Sequence, residues 1–162
     1  MTNDAPDSGA TLPERVLKLP VYLMLALTRE GYRHAVKSGV KLRMPHYVVL
    51  SILANSEPCS QKEIAEQIAL DKSDVTKMMN ELESLGLVQR VEDAQDRRRH
   101  SVHLTTKGKK QLDSSDRELN ESMRDFLSAL SEAEYRQLQH LLLKALRRHD
   151  ARFGKEAISQ PR

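Results

Sequence analysis

The stretch "LDKSDVTKMMNELESLGLVQR", residues 70–90, followed two residues later by "DAQDRRRHSVHLTTKG", residues 93–108, decides how this chain folds. Projected at about 100° per residue, Val75, Met78, Met79, Leu82 and Leu85 fall on one side of a helix. Ser73, Thr76, Lys77, Asn80 and Ser84 fall on the other. A solvated helix face usually carries Glu/Lys pairs one turn apart. This face of small and medium polar groups is instead suited to touching something. Gly86 ends the helix in the manner of a Schellman cap, with Leu87 placed to fold back on Leu82. Two β segments follow, Leu87–Glu92 and His100–Thr105. In the second, His100, Val102 and Leu104 point one way and Ser101, His103 and Thr105 the other.

Between the strands, Glu92, Asp93 and Asp96 lead into Arg97, Arg98 and Arg99, and from Arg97 to Lys110 there are six Lys/Arg and no acid. Three like charges side by side at a hairpin tip repel one another unless an anionic partner offsets them. A helix fits the major groove of DNA, where short polar side chains reach base edges. A hairpin beside it reaches the neighbouring minor groove, whose negative potential stabilises inserted arginine. Asp96 is placed as a wing buttress, holding one guanidinium in a fixed direction. Helix, helix and hairpin together predict a winged helix-turn-helix, mainly α with a small β-hairpin wing, and double-stranded DNA as its partner.

Working outward, Ser60-x-x-Glu63 forms a capping box ahead of a short stripe of Ile64, Ala65 and Ile68. Asp71-x-x-Asp74 then puts two acids at the positive end of the helix just described. Upstream, Pro45 opens "HYVVLSILAN", which is apolar nearly all round and so expected to be buried. Further back, Thr11-x-x-Glu14 resembles a capping box for a helix from about Pro13 to Lys37, with Pro20 bending or interrupting it and Gly39 marking the exit. Downstream, Thr105 is an N-cap for a long helix to about Leu130. Ser131-x-x-Glu134 is a third capping box, opening a last helix with Tyr135, Leu138, Leu141, Leu142, Ala145 and Leu146. These last two helices carry more apolar surface than a small winged domain needs.

The 162 residues, 30% charged and 4% aromatic without tryptophan, bound the answer to one helical domain. Net charge is only +3, so the distribution of charge says more than its sum. A single cysteine, Cys59, makes no intramolecular disulfide and fits a reducing compartment. It precedes a helix start, and a plain small residue is favoured there over a redox sensor. The acidic N-terminus does not read as a secretory signal. The longest uncharged run, thirteen residues from Met44 to Ser56, is too short to span a bilayer. A cytoplasmic protein is expected. His100 and His103 lie three apart on a strand and so face opposite ways, which rules them out as a ligand pair. His34, His46, His140 and His149 are scattered, and no metal site or cofactor is expected. No nucleophile–base pair or Gly-rich phosphate loop stands out, so the chain does not read as an enzyme.

The same residues resemble the MarR family of winged-helix transcriptional regulators. That family's pattern runs from a polar helix start through a Leu-Glu-x-x-Gly-Leu-Val-x-Arg run into an Asp-Arg-Arg wing and a Leu-Thr-x-x-Gly exit. Leu82, Glu83, Gly86, Leu87, Val88 and Arg90 match its first part here, and Asp96, Arg97, Arg98, Leu104, Thr105 and Gly108 the rest. The resemblance implies a homodimer with a shared helical dimerisation platform, whose two winged lobes bind successive turns of a pseudo-palindromic operator. It implies a single domain over 13–152, with platform helices in 13–39 and 106–152 and a DNA-binding lobe over 45–105, between tails at 1–12 and 153–162. Its helix contacts carry over to Lys72, Ser73, Thr76 and Lys77, and its wing contacts to Arg97 and Arg98. Ser60, Gln61, Asn80, Arg90 and Arg99 complete the expected DNA-facing set. Asp74 either accepts from a cytosine amino group or serves the helix cap. The cap is favoured, because an acid at that end is stabilised without DNA. Relatives often bind aromatic or phenolic acids between platform and lobe, where Tyr22, Arg43, His46 and Tyr47 are candidates, each as easily an ordinary core-edge group. A repressor released by such an effector is the leading expectation. The rival is a helical interaction module that docks a protein partner through its Leu-rich C-terminal helices.

Overall fold

Capping chemistry decides where three of the seven described α-helices start. The computed structural model describes residues 11–56, 58–92 and 100–153. In chain order these form α1 (Glu14–Leu17), α2 (Pro20–Lys37), α3 (Met44–Ser56), β1 (Cys59–Ser60), α4 (Gln61–Ile68), α5 (Lys72–Ser84), β2 (Val88–Glu92), β3 (His100–Leu104), α6 (Thr106–Phe126), α7 (Glu132–Arg147) and a 3₁₀ turn at Ala151–Phe153. Ser60 and Ser131 both close reciprocal capping boxes, with Glu63 and Glu134. Thr105 accepts from the Gly108 N–H at 2.9 Å. Each cap satisfies amides that have no partner inside the helix.

Several boundaries differ from the sequence-based expectation. The Thr11 box does not form: α1 starts after Pro13 with no side-chain cap. The expected helix is interrupted rather than bent, since Pro20 takes the first position of a separate α2, where its missing N–H costs nothing. Asp71 sits in the N-cap position of α5, but its carboxylate makes no capping bond. Helix α3 begins at Met44 and is buried on one side only, through His46, Val49, Leu50 and Leu53. Helix α6 ends at Phe126, short of Leu130. Leu85 falls just past the end of α5 and is exposed. The tails expected at 1–12 and 153–162 lie mostly outside the described residues.

The sheet has three strands in the order β1-β3-β2, where the sequence suggests only a hairpin. Strand β1 pairs Cys59 with Val102 and Ser60 with Ser101. Strands β2 and β3 are antiparallel from Val88 opposite Leu104 to Glu92 opposite His100. Two residues are too few to show alternation, so β1 leaves no periodic signal. Cys59 is buried there, its thiol donating to the Ser56 carbonyl at 2.9 Å. One core joins these pieces: Val49, Leu50 and Leu53 of α3 meet Ile64 of α4, Val75, Met79 and Leu82 of α5, and Val102 of β3, all fully buried.

The end of α5 is locked to the start of α6. Gly86, at φ +68°, lets the Leu87 N–H return to the Leu82 carbonyl at 2.9 Å and its own N–H reach Glu83 at 2.9 Å, the expected Schellman pattern. Across the junction, the Thr105 hydroxyl donates to the Gly86 carbonyl at 2.7 Å and the Lys107 ammonium to that of Leu85 at 2.7 Å. Gly108 lies so close that an added Cβ would stand 2.0 Å from the Leu87 oxygen. Gly108→Ala should therefore lower unfolding free energy by about 2 kcal/mol or more through overpacking. Its gain in helix propensity of about 1 kcal/mol offsets only part of that. The shift of the urea midpoint at unchanged m-value measures it.

Candidate nucleic-acid interface

With Val75, Met78, Met79 and Leu82 buried, α5 has no choice about what it shows. Lys72, Ser73, Thr76, Lys77 and Asn80 are all exposed on its other face. Lys72, Thr76 and Asn80 among them line a concavity of about 640 Å³ together with Gln61 of α4 and Arg90 and His100 of the sheet. Strand β2 flanks it and leads into residues 93–99. The expected wing contacts Arg97, Arg98 and Arg99, and the buttress Asp96, lie in that segment and outside the described residues.

Polar ties fix how this surface is presented. The Gln61 amide donates to the Thr76 hydroxyl at 2.8 Å, joining α4 to α5. That hydroxyl donates in turn to the Lys72 carbonyl one turn back, at 2.8 Å. Arg90 of β2 reaches across to α5, where one terminal nitrogen meets the Glu83 carboxylate at 2.6 Å and the other the Asn80 carbonyl oxygen at 2.8 Å. The Arg90 backbone N–H adds a third bond, to Glu83 at 3.3 Å. Arg90 is 24% exposed and so braces the strand against the helix. The Lys77 ammonium is 3.7 Å from Asp74 in an exposed pair, worth a few tenths of a kcal/mol at most. Ser60, spent on its capping box, sits at the start of α4.

The four candidate effector residues are not gathered in one place. Arg43 and His46 line a cavity of about 170 Å³ against Asp74, Lys77 and Glu81 of α5, small beside the roughly 300–1,000 Å³ of ordinary ligand sites. Arg43 pairs with Glu81. Tyr47 turns to α6, its hydroxyl donating to Asp116 at 2.7 Å. Burial and that bond push the phenol above its ordinary pKa. Tyr22, on α2, is half-buried and borders neither this cavity nor the concave surface. Among the described residues no group of three or more His, Cys, Asp or Glu is placed to hold a metal ion, and no helix is long and apolar enough to cross a membrane.

Three partners escape a reading of the sequence: Glu83 for Arg90, Glu81 for Arg43 and His46, and Asp116 for Tyr47. The first has a visible signal, an acid and an arginine seven residues apart on either side of the Gly86 turn. The last has none, because 69 residues separate the pair.

The charge state of His46 follows from its neighbours. It is 5% exposed, and its Nε2 lies 3.0 Å from both the Arg43 guanidinium and the Glu81 carboxylate. Arginine only donates, so a neutral imidazole accepts from Arg43 and a charged one would face Glu81. Burial and the Arg43 charge outweigh Glu81 and hold the pKa below the ordinary histidine value. The unfolded chain then binds the proton first, so this group's stabilisation is full above about pH 6.5 and is lost as pH falls through the lowered folded value. Urea unfolding at pH 7 and pH 5 should show a larger loss of stability for the native chain than for His46→Gln.

Comparison with known proteins gives these features a context. The MarR family model matches residues 42–100. A protein of Thauera aromatica described as a transcriptional regulatory protein for the hcr operon is 35% identical over 105 residues, which cover 65% of this chain and 63% of that one. The match thus spans less than two thirds of that relative's length. Among solved structures, the transcriptional repressor CouR bound to a 23-mer DNA duplex superposes with a TM-score of 0.73 at 23% identity, over 85% of this chain and 99% of that one. The PcaV transcriptional regulator of Streptomyces coelicolor, in complex with its natural ligand, gives 0.72 at 22% identity, over 87% and 99%. At such identities the structures establish the winged helix-turn-helix fold.

Proposed function

We propose that this chain is a member of the MarR family, whose model matches residues 42–100, and that it is a dimeric, sequence-specific DNA-binding transcriptional regulator, a non-catalytic cytoplasmic repressor released by a small ligand. One observation carries the DNA-binding part: α5 buries its apolar side and displays Lys72, Ser73, Thr76, Lys77 and Asn80 beside a strand that is followed in the sequence by three consecutive arginines at 97–99. Lys72, Lys77 and the arginines at 97–99 supply the phosphate contacts that dominate affinity, and the polar face of α5 supplies base contacts. Asp74, paired with Lys77, serves the helix start. The operator is a pseudo-palindrome if two lobes act together.

Homodimerisation is supported by unfinished burial. Helix α7 buries none of its residues, although Leu141, Leu142 and Leu146 stand exposed on it. Leu17, Leu19, Leu23, Met24 and Leu27 stand exposed on and around α1 and α2. Apolar surface of this extent calls for a partner, and a second copy of the same helices, at 13–39 and 106–152, supplies a self-complementary one. The bound effector is an aromatic or phenolic acid by analogy with the family. Arg43 is the one strong cation among the four candidate residues, and Glu81 already occupies it.

Replacing Arg97 and Arg98 with Ala should weaken duplex binding and flatten its salt dependence by about one unit of log slope for each phosphate no longer neutralised. Titrations at several salt concentrations read this directly, and an unchanged slope would refute the arginine clamp.

A further inference from the structure

The ties described above leave two reading residues of α5 with only one kind of hydrogen bond to offer. Asn80 normally presents both a donor and an acceptor, which is why asparagine pairs bidentately with adenine N6 and N7. Here Arg90 approaches its carboxamide at 2.8 Å. A guanidinium has no acceptor, so the atom facing it must be Oδ1, and the usual ambiguity between amide O and N is settled by chemistry. Arg90 is itself fixed by the Glu83 carboxylate at 2.6 Å. A second donor, such as an adenine amino group, would have to approach Oδ1 alongside a cation. What remains free is the NH₂ end, on an exposed side chain.

Thr76 is constrained in the opposite sense. Its single hydroxyl proton goes to the Lys72 carbonyl at 2.8 Å, and one lone pair takes the Gln61 amide at 2.8 Å. A hydroxyl has one proton and two lone pairs. It therefore keeps one acceptor position and no donor, beside a methyl group that suits apolar contact. The two residues are one helical turn apart, about 6 Å along the axis, so they face base pairs one or two steps apart in a groove that α5 follows.

We propose that this chain reads its operator through a pre-set polarity: Asn80, locked by Arg90 and Glu83, only donates, to an acceptor such as a purine N7, guanine O6 or thymine O4, and so cannot make the bidentate adenine contact, while Thr76, locked by Gln61 and Lys72, only accepts, from a donor such as cytosine N4 or adenine N6. Arg90 acts as a positioning residue that sets which base Asn80 tolerates without needing to touch that base. The inference rests on the DNA-binding reading and deepens it by naming the base classes.

Selection of duplexes from a random pool by the full chain tests it, run in parallel for the native protein, Asn80→Ala, Thr76→Val and Arg90→Met. Asn80→Ala should relax preference at one position of each half-site by about five- to tenfold, at the lower end of the range of a full bidentate contact. The native motif at that position should not select adenine over guanine. Thr76→Val should relax a second position, one or two steps away, whose native base on the contacted strand is cytosine or adenine. Arg90→Met should shift preference at the Asn80 position towards adenine. A native motif that selects adenine over guanine at the Asn80 position overturns the proposal, and so does a motif that Asn80→Ala leaves unchanged. Should Arg90→Met fail to fold, the native motif and the two exposed-residue variants still decide. A native protein that enriches no duplex at all refutes the DNA-binding reading itself.

Discussion

The fold turns on one close approach, that of the first turn of α6 to the Leu87 carbonyl. Three elements meet there: α5 terminates just before Gly86, β2 begins just after Leu87 and α6 starts after Thr105. A side chain at position 108 would drive the helix into the Leu87 oxygen, so only glycine lets the backbones touch. Thr105 and Lys107 then satisfy the carbonyls of Gly86 and Leu85 that helix termination leaves open. The hairpin consequently leaves at a fixed angle to α5. Whatever lies in residues 93–99 is carried on strands whose base is pinned at this junction.

Around that junction, stability and orientation come from different interactions. Fully buried Val75, Met79 and Leu82 hold α5 in place, and burying each such side chain is worth about 1.5–3 kcal/mol. Its rotation is restrained by polar ties to three neighbours: Thr76 to Gln61 of α4, Glu81 to Arg43 and His46 at the start of α3, and Glu83 to Arg90 of β2. Ties this exposed add little to stability, roughly 0–1 kcal/mol each. Their role is geometric, and they also consume hydrogen-bonding capacity. That is why the identities of the polar residues on α5 are a poor guide to what the helix can read until each donor and acceptor is assigned.

Much of this is legible in the sequence because it is local. The capping boxes at Ser60 and Ser131, the Schellman end at Gly86 and the buried face of α5 each follow from residues within a turn or two of one another. The winged fold follows from their order. What is not legible is mostly non-local or non-periodic. Two-residue β1 leaves no alternation, and the side-chain bond of Tyr47 to Asp116 depends on how α3 meets α6. The start of α1 misleads for a different reason, since Thr11 and Glu14 fit a capping pattern while Pro13 takes the cap position itself. At the candidate site the sequence displays the exposed polar face as a set, yet it gives no sign that Arg90 captures the Asn80 carbonyl. The sequence places Arg90 in the DNA-facing set, and its guanidinium is bonded to Asn80 and Glu83 of α5.

The contrast between the two ends of the molecule gives the division of labour a thermodynamic basis. The winged lobe closes its own core, with fully buried side chains contributed from α3, α4, α5 and β3. Helix α7 has strong amphipathic spacing and nothing buried. Hydrophobic stabilisation grows with apolar area removed from water, so the lobe gains it within its own core, whereas the exposed apolar side chains of α1, α2 and α7 contribute little of it within one chain. Helix α6 belongs to both regions: its first turn is locked to Leu87, and further along Phe126 packs against Gly31 of α2. One continuous helix thus joins the contact with α2 to the junction that sets the exit of the hairpin.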